Sequence, residues 1–133
     1  MNARQTSKEL LDPARRLREA IPDVMGGYAS MQSAVMAEGA LSVKVKELIA
    51  LAIAATRECD GCIAAHARGA ARAQATEAEV AEAMGVVVMM NGGPGTVWGP
   101  RAAAAHREFT GSESQTGSAG GAQVARSTDG SRP

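Results

Sequence analysis

Both cysteines of the chain and one of its two histidines fall within one short stretch, Glu-Cys-Asp-Gly-Cys-Ile-Ala-Ala-His, from Glu58 to His66. On an α-helix, at about 100° per residue, Cys59, Cys62 and His66 lie within about 60° of one another, so both sulfurs and the imidazole share a face. Cys59 and Cys62, at i and i+3, can close a disulfide where the first turn permits the geometry. His66 follows one turn past Cys62, within reach of its sulfur directly or through a water. The stretch also falls at the expected start of a helix, where free backbone N–H groups and the positive dipole end stabilise a thiolate. A thiolate is the nucleophile of thiol–disulfide exchange and of attack on a peroxide. Arg57 adds positive potential while Glu58 and Asp60 oppose it, which leaves the sign of any change in cysteine acidity open.

Other chemistry is available to the same residues. Structural zinc takes four Cys or His ligands, and the chain has only Cys59, Cys62, His66 and His106 to offer. Such a site requires the last helix to deliver His106, which among Ala102–Ala105 reads instead as an ordinary surface or packing residue. Two buried structural thiols are a further reading. Glu47 stands in an apolar stretch, with Leu48, Ile49, Leu51 and Ala52 around it. It is either an exposed acid beside Lys44 and Lys46 or an inward carboxylate able to relay a proton to His66 or a cysteine. Matching the two helices as a simple hairpin sets Glu47 toward the far end of the helix that carries the cysteines, and the pattern alone does not bring it back.

The elements that position these residues read as helical, with no stretch alternating at period two. The expected helices are Lys8 to Ala20, Pro22 to a stop at Gly39, a third capped by Ser42, a fourth from about Cys59 to Ala73, a fifth from Thr76 to Met90, and a sixth from Thr96 to Phe109. Met25, Tyr28, Met31, Val35 and Met36 recur at helical spacing in the second. Gly69-Ala70-Ala71 in the fourth admits close approach of a partner helix. Thr76 and Glu79 form a capping-box pattern, and Asn91 to Gly95 reads as a break. From Thr110 onward 13 of 24 residues are Gly, Ser or Thr, and Val124 is the only large aliphatic, a composition expected to leave a disordered tail. The expected organisation is therefore one all-α domain over residues 1–109, a compact bundle of about six helices, and a tail over 110–133.

Composition excludes some functions. The 133 residues carry 14 Lys+Arg against 14 Asp+Glu, so nothing draws the chain globally toward nucleic acid or an anionic membrane. With only Tyr28, Trp98 and Phe109 as aromatics, base stacking has little to work with. The first residues lack the apolar core of a signal peptide, and the longest apolar run, Leu48 to Ala55, is too short to span a bilayer. The expectation is a cytoplasmic protein, and in that reducing compartment a close cysteine pair reads as catalytic or metal-binding before structural.

Glu47, eleven residues, then Cys59-Asp60-Gly61-Cys62-Ile63-Ala64-Ala65-His66 resembles the E-x11-C-x2-C-x3-H signature of the AhpD-like alkylhydroperoxidases, within the carboxymuconolactone decarboxylase superfamily. The likeness extends over about residues 20–109, through Leu-Ser-Val-Lys-Val-Lys-Glu-Leu-Ile-Ala-Leu-Ala-Ile-Ala and Met-Asn-Gly-Gly-Pro-Gly-Thr-Val-Trp. It implies an all-helical fold, assembly as trimers or hexamers, Cys62 as the peroxidatic and Cys59 as the resolving cysteine, and His66 with Glu47 as a proton relay. It further implies a hydroperoxide substrate, an external dithiol or protein reductant, and no metal, flavin or nucleotide cofactor. The decarboxylase members generally lack the cysteine pair, which favours thiol chemistry here. Gly61 departs from the better-known peroxidase, which has a histidine before the second cysteine. The competing expectations are a decarboxylase-like lyase using Glu47 and His66, and a non-enzymatic helical oligomer with the cysteine pair as a redox switch.

Overall fold

The computed structural model describes residues 1–111, which form six α-helices and no strand: α1 Ala3–Ala20, α2 Pro22–Met36, α3 Val43–Thr56, α4 Asp60–Arg72, α5 Glu77–Asn91 and α6 Gly93–Thr110. The all-α bundle expected from the sequence is the one observed. The Gly/Ser/Thr-rich tail, residues 112–133, lies outside the described residues, and Thr110 closes α6 rather than opening the tail.

Side-chain caps set several helix starts. The Asn2 side chain accepts from the Gln5 N–H at 2.9 Å, and Ser42 Oγ accepts from the Val45 N–H at 3.2 Å. Thr76 and Glu79 make the full capping box, at 3.1 and 2.8 Å. Each cap gives a partner to a backbone N–H that the helix itself leaves without one.

Three further boundaries differ from expectation, each for a physical reason. Helix α1 begins at Ala3 rather than Lys8, because the Glu108 carboxylate, from the far end of the chain, accepts the N–H groups of Ala3 and Arg4 at 3.0 and 3.1 Å. Helix α2 stops at Met36, short of Gly39, and Lys46 Nζ donates to the Val35 and Ala37 carbonyls at 2.7 and 2.5 Å. The break expected over Asn91 to Gly95 shrinks to Gly92 alone, whose φ of 59° reverses the chain, and Pro94 sits in the first turn of α6. Gly95 is buried against α5, where a Cβ would stand 2.8 Å from the Val87 carbonyl oxygen.

The core is built from small residues. Ala54, Ala55, Ala64, Ala67, Ala70, Ala102 and Ala105 are buried together with Leu51, Ile63, Val80 and Met84. Alanine faces let helices lie close together, and α4 packs against α3, α6 and α1 while α5 packs on α6 and α3. Each fully buried Leu or Ile contributes roughly 1.5–3 kcal/mol of transfer free energy. Helix α2 stands apart from this arrangement. Among the described residues it touches only α1 and α3, and none of its own residues is buried. The helically spaced Tyr28, Met31 and Val35 lie more than half exposed. No described helix is long and apolar enough to cross a membrane.

Candidate active site

The turn between α3 and α4 sets the first cysteine. Arg57 ends α3, Glu58 takes a left-handed conformation (φ 56°), and Cys59 follows as the N-cap of α4. Two bonds lock this turn, Cys59 N–H to the Ala54 carbonyl at 3.2 Å and Glu58 N–H to the Ala55 carbonyl at 3.1 Å. This is the pairing of a helix C-terminus that usually places glycine where Glu58 stands. A non-glycine residue there costs about 1–2 kcal/mol, offset by the bonds on either side of it.

As N-cap, Cys59 Sγ accepts from the Cys62 N–H at 3.3 Å, the position that Ser or Thr oxygens take in other caps. The two cysteines form a disulfide, with Cα atoms 5.3 Å apart. Cys62 is solvent-exposed and Cys59 is half-buried. An external nucleophile therefore meets Cys62 sulfur more readily. Cys59 sulfur, held by a backbone N–H at the positive end of α4, is the better leaving group.

Glu47 is turned inward. Its Oε2 lies 2.8 Å from His66 Nδ1, and the side chains of Glu47 and His66 are 15% and 26% exposed. An ionised carboxylate can only accept, so this contact puts the ring hydrogen on Nδ1 and leaves Nε2 able to take or give a proton. The reach that hairpin matching left unexplained comes from the side chain itself. The backbone of α3 does set Glu47 opposite Gly69, and a Cβ at Gly69 would overlap the Glu47 carboxylate. The carboxylate lies across this bare position and extends back one helical turn to His66. Gly69 is thus part of the site. The sequence signal for it was the small-residue run, whose approaching partner is a carboxylate rather than a helix backbone.

Cys59, Cys62 and His66 line one cleft of about 450 Å³ with Ala50, Ile53, Ala54 and Arg57. Its walls are apolar apart from the reactive groups and the exposed Arg57. Glu47 borders a second cleft, of about 670 Å³, with Ser42, Lys44 and Arg72, which gives the carboxylate its own route to solvent.

Two further residues act on this region and were not foreseen. Arg101 Nη2 on α6 lies 3.4 Å from Asp60 Oδ2, and its guanidinium stacks 4.6 Å from the Trp98 ring. The acid that opposed the thiols thus has a cation of its own. The spacing of Trp98 and Arg101, one turn apart, was its only sequence signal. Gly61, between the cysteines, lies under α1, where a Cβ would meet the Leu10 side chain at 2.9 Å.

The zinc arrangement is not assembled. His106 is buried on α6 at 1% exposure, facing Glu77 and Val80 across another cleft. Neither of its ring nitrogens has a hydrogen-bond partner among the described residues.

Comparison with known proteins identifies the family. The sequence profile of the carboxymuconolactone decarboxylase family matches residues 22–105. The chain belongs to that family. An uncharacterized protein of Cupriavidus necator is 36% identical over 88 residues, 66% of this chain and 78% of that protein. An uncharacterized protein from the cox locus of Paracoccus denitrificans is 38% identical over 66 residues, 50% of this chain and 60% of that one. Among solved structures, a carboxymuconolactone decarboxylase family protein from Legionella pneumophila superposes with a TM-score of 0.79 at 35% identity, covering 81% of this chain and 96% of that one. The family match begins after α1, so α2 to α6 hold the shared part and the Glu47, Cys59, Cys62 and His66 cluster lies within it.

Proposed function

We propose that the protein is a thiol-dependent peroxidase of the alkylhydroperoxidase type. The observation that carries this reading is the Glu47–His66 pair, 2.8 Å apart, beside a disulfide-bonded Cys59 and Cys62. His66 takes the proton of the Cys62 thiol, with Glu47 holding the imidazole and supporting the charge that forms on it. The Cys62 thiolate attacks the terminal oxygen of a hydroperoxide, the O–O bond breaks, and Cys62 becomes a sulfenic acid. The proton on His66 goes to the departing alkoxide, which leaves as the alcohol. The Cys59 thiol then attacks the sulfenic sulfur, releasing water and forming the disulfide. An external dithiol supplies two electrons and two protons to reopen it, attacking the exposed Cys62 sulfur so that Cys59 leaves into its N-cap position. The apolar walls of the cleft suit the organic part of an alkyl hydroperoxide. No step calls on a metal, flavin or nucleotide. The protein is proposed to work as a homo-oligomer, in keeping with the uncovered apolar face of α2.

Peroxide consumption with a dithiol reductant tests the proposal. Cys62→Ser is expected to abolish turnover, and Cys59→Ser to consume one equivalent and stop with a trappable sulfenate on Cys62. Glu47→Gln is expected to slow oxidation of Cys62 by roughly 10²–10⁴-fold, the span of lost acid–base help. A sulfenate trapped on Cys59 in the Cys62→Ser variant would reverse the two cysteine roles. A decarboxylase-like activity that survives replacement of both cysteines would replace the proposal altogether.

A further inference from the structure

A further cleft, of about 470 Å³, opens between α1 and α4 and is lined at one end by Phe109 of α6. It shares no residue with the cysteine-lined cleft, and only Arg72 is common to it and the cleft beside Glu47. Arg4 and Lys8 project into it from one side, Arg68 and Arg72 from the other. The chain as a whole carries equal numbers of acids and bases, so four cations in one concavity are a local excess. Outside it, Arg15 and Arg16 are answered by Asp12, Lys44 by Glu79 and Arg101 by Asp60, while Arg18, Arg57 and Arg107 stand apart on the surface without an acidic partner among the described residues. Lys8, Arg68 and Arg72 have no ion pair among the described residues.

Arg4 is held in place. Its Nε and Nη2 donate to the Glu108 carbonyl at 2.9 and 2.6 Å, and its guanidinium lies 5.0 Å from the centre of the Phe109 ring. The Glu108 carboxylate at this end is occupied by the backbone N–H groups of Ala3 and Arg4. Like charges gathered in this way repel one another unless an anion sits between them. Planar guanidinium forks match the oxygens of a phosphoryl group, whose double charge answers several cations at once where a single carboxylate would not. Leu11 and the Phe109 ring give an apolar wall for an organic body attached to the phosphate. The cavity is also of a size with small-molecule sites, and concave rather than a flat basic patch.

We propose that the α1–α4 cleft binds a phosphate-bearing small molecule, at a site separate from the thiol chemistry. Titration calorimetry on the full chain tests it, with inorganic pyrophosphate and phenyl phosphate as probes and acetate as the singly charged control. One saturable site per chain is expected, with pyrophosphate binding at least roughly tenfold more tightly than acetate, since each charge-assisted contact adds about that factor. Arg68→Gln combined with Arg72→Gln should weaken pyrophosphate roughly a hundredfold on the same basis. Both side chains are exposed, so the melting temperature of the unliganded double variant should be unchanged. Lys8→Gln gives an independent reading from the opposite wall and should weaken binding as well. Cys62→Ser should bind as the wild type does. Absence of saturable binding, equal affinity in the double variant, or loss of binding in Cys62→Ser would each overturn the proposal.

Discussion

Whether Glu47 can serve His66 turns on one missing carbon atom. The carboxylate rests where a side chain at Gly69 would be, so Gly69→Ala forces it away. The displaced group is the free end of a flexible side chain, and the helix backbone need not move. We therefore expect Gly69→Ala to fold with an unchanged helix content and to lose reactivity of Cys62 about as far as Glu47→Gln does, roughly 10²–10⁴-fold. Gly85→Ala is the matched control, because a Cβ there meets nothing within 4 Å. Stopped-flow oxidation of the reduced protein separates the two. Cys62 and His66 were legible from spacing, since their shared helix face follows from 3.6 residues per turn, whereas Cys59 is the extended N-cap just before the helix and meets Cys62 through the turn. The inward turn of Glu47 was not, because it depends on how far a long side chain reaches across a helix pair, and periodicity carries no such information.

At the scale of elements, the short connections decide the arrangement. Glu58 and Gln74 both adopt positive φ at the ends of α3 and α4 without being glycine, and while the sequence marks where these helices break it does not announce the left-handed residue in either turn. Conversely the glycine-rich Asn91 to Gly95 read as a loop, yet only Gly92 breaks the helix and Gly95 is there for contact with α5. Composition marks glycine but does not say whether it serves conformation or proximity. Gly95→Ala puts a methyl group against backbone atoms of Val87 and Val88, which cannot yield as a side-chain tip does. It should destabilise by about 1–3 kcal/mol, as overpacking does, read as a lower midpoint in urea.

The start of α5 carries a pH dependence. The Lys44 ammonium, first, and then the Thr76 backbone N–H hold the Glu79 carboxyl below the usual carboxylate range. A group whose folded value is depressed stabilises the protein at neutral pH and loses that contribution as pH falls through the usual range toward the folded value. The melting temperature of Glu79→Gln should lie below the wild type at pH 7, and the gap should close in acid. A gap that widens on acidification would contradict the assignment.

For the whole molecule, the uncovered stripe of α2 is the main departure from a self-sufficient domain. Tyr28, Met31 and Val35 are 59%, 57% and 58% exposed on a helix none of whose residues is buried among the described residues. A second copy is the partner we propose for it, and light scattering of the full chain should give a mass that is a multiple of 13.6 kDa. Met31→Glu with Val35→Glu should shift that mass to the single chain, since charge on a buried interface is unfavourable. A wild type that stays at one chain at high concentration would refute this. If the stripe is covered in that way, α2 belongs energetically to the assembly rather than to the fold. On dilution its amides should exchange with solvent long before those of α4 to α6, and the melting temperature should fall with them. Stability would then be a property of how much protein is present as well as of the sequence.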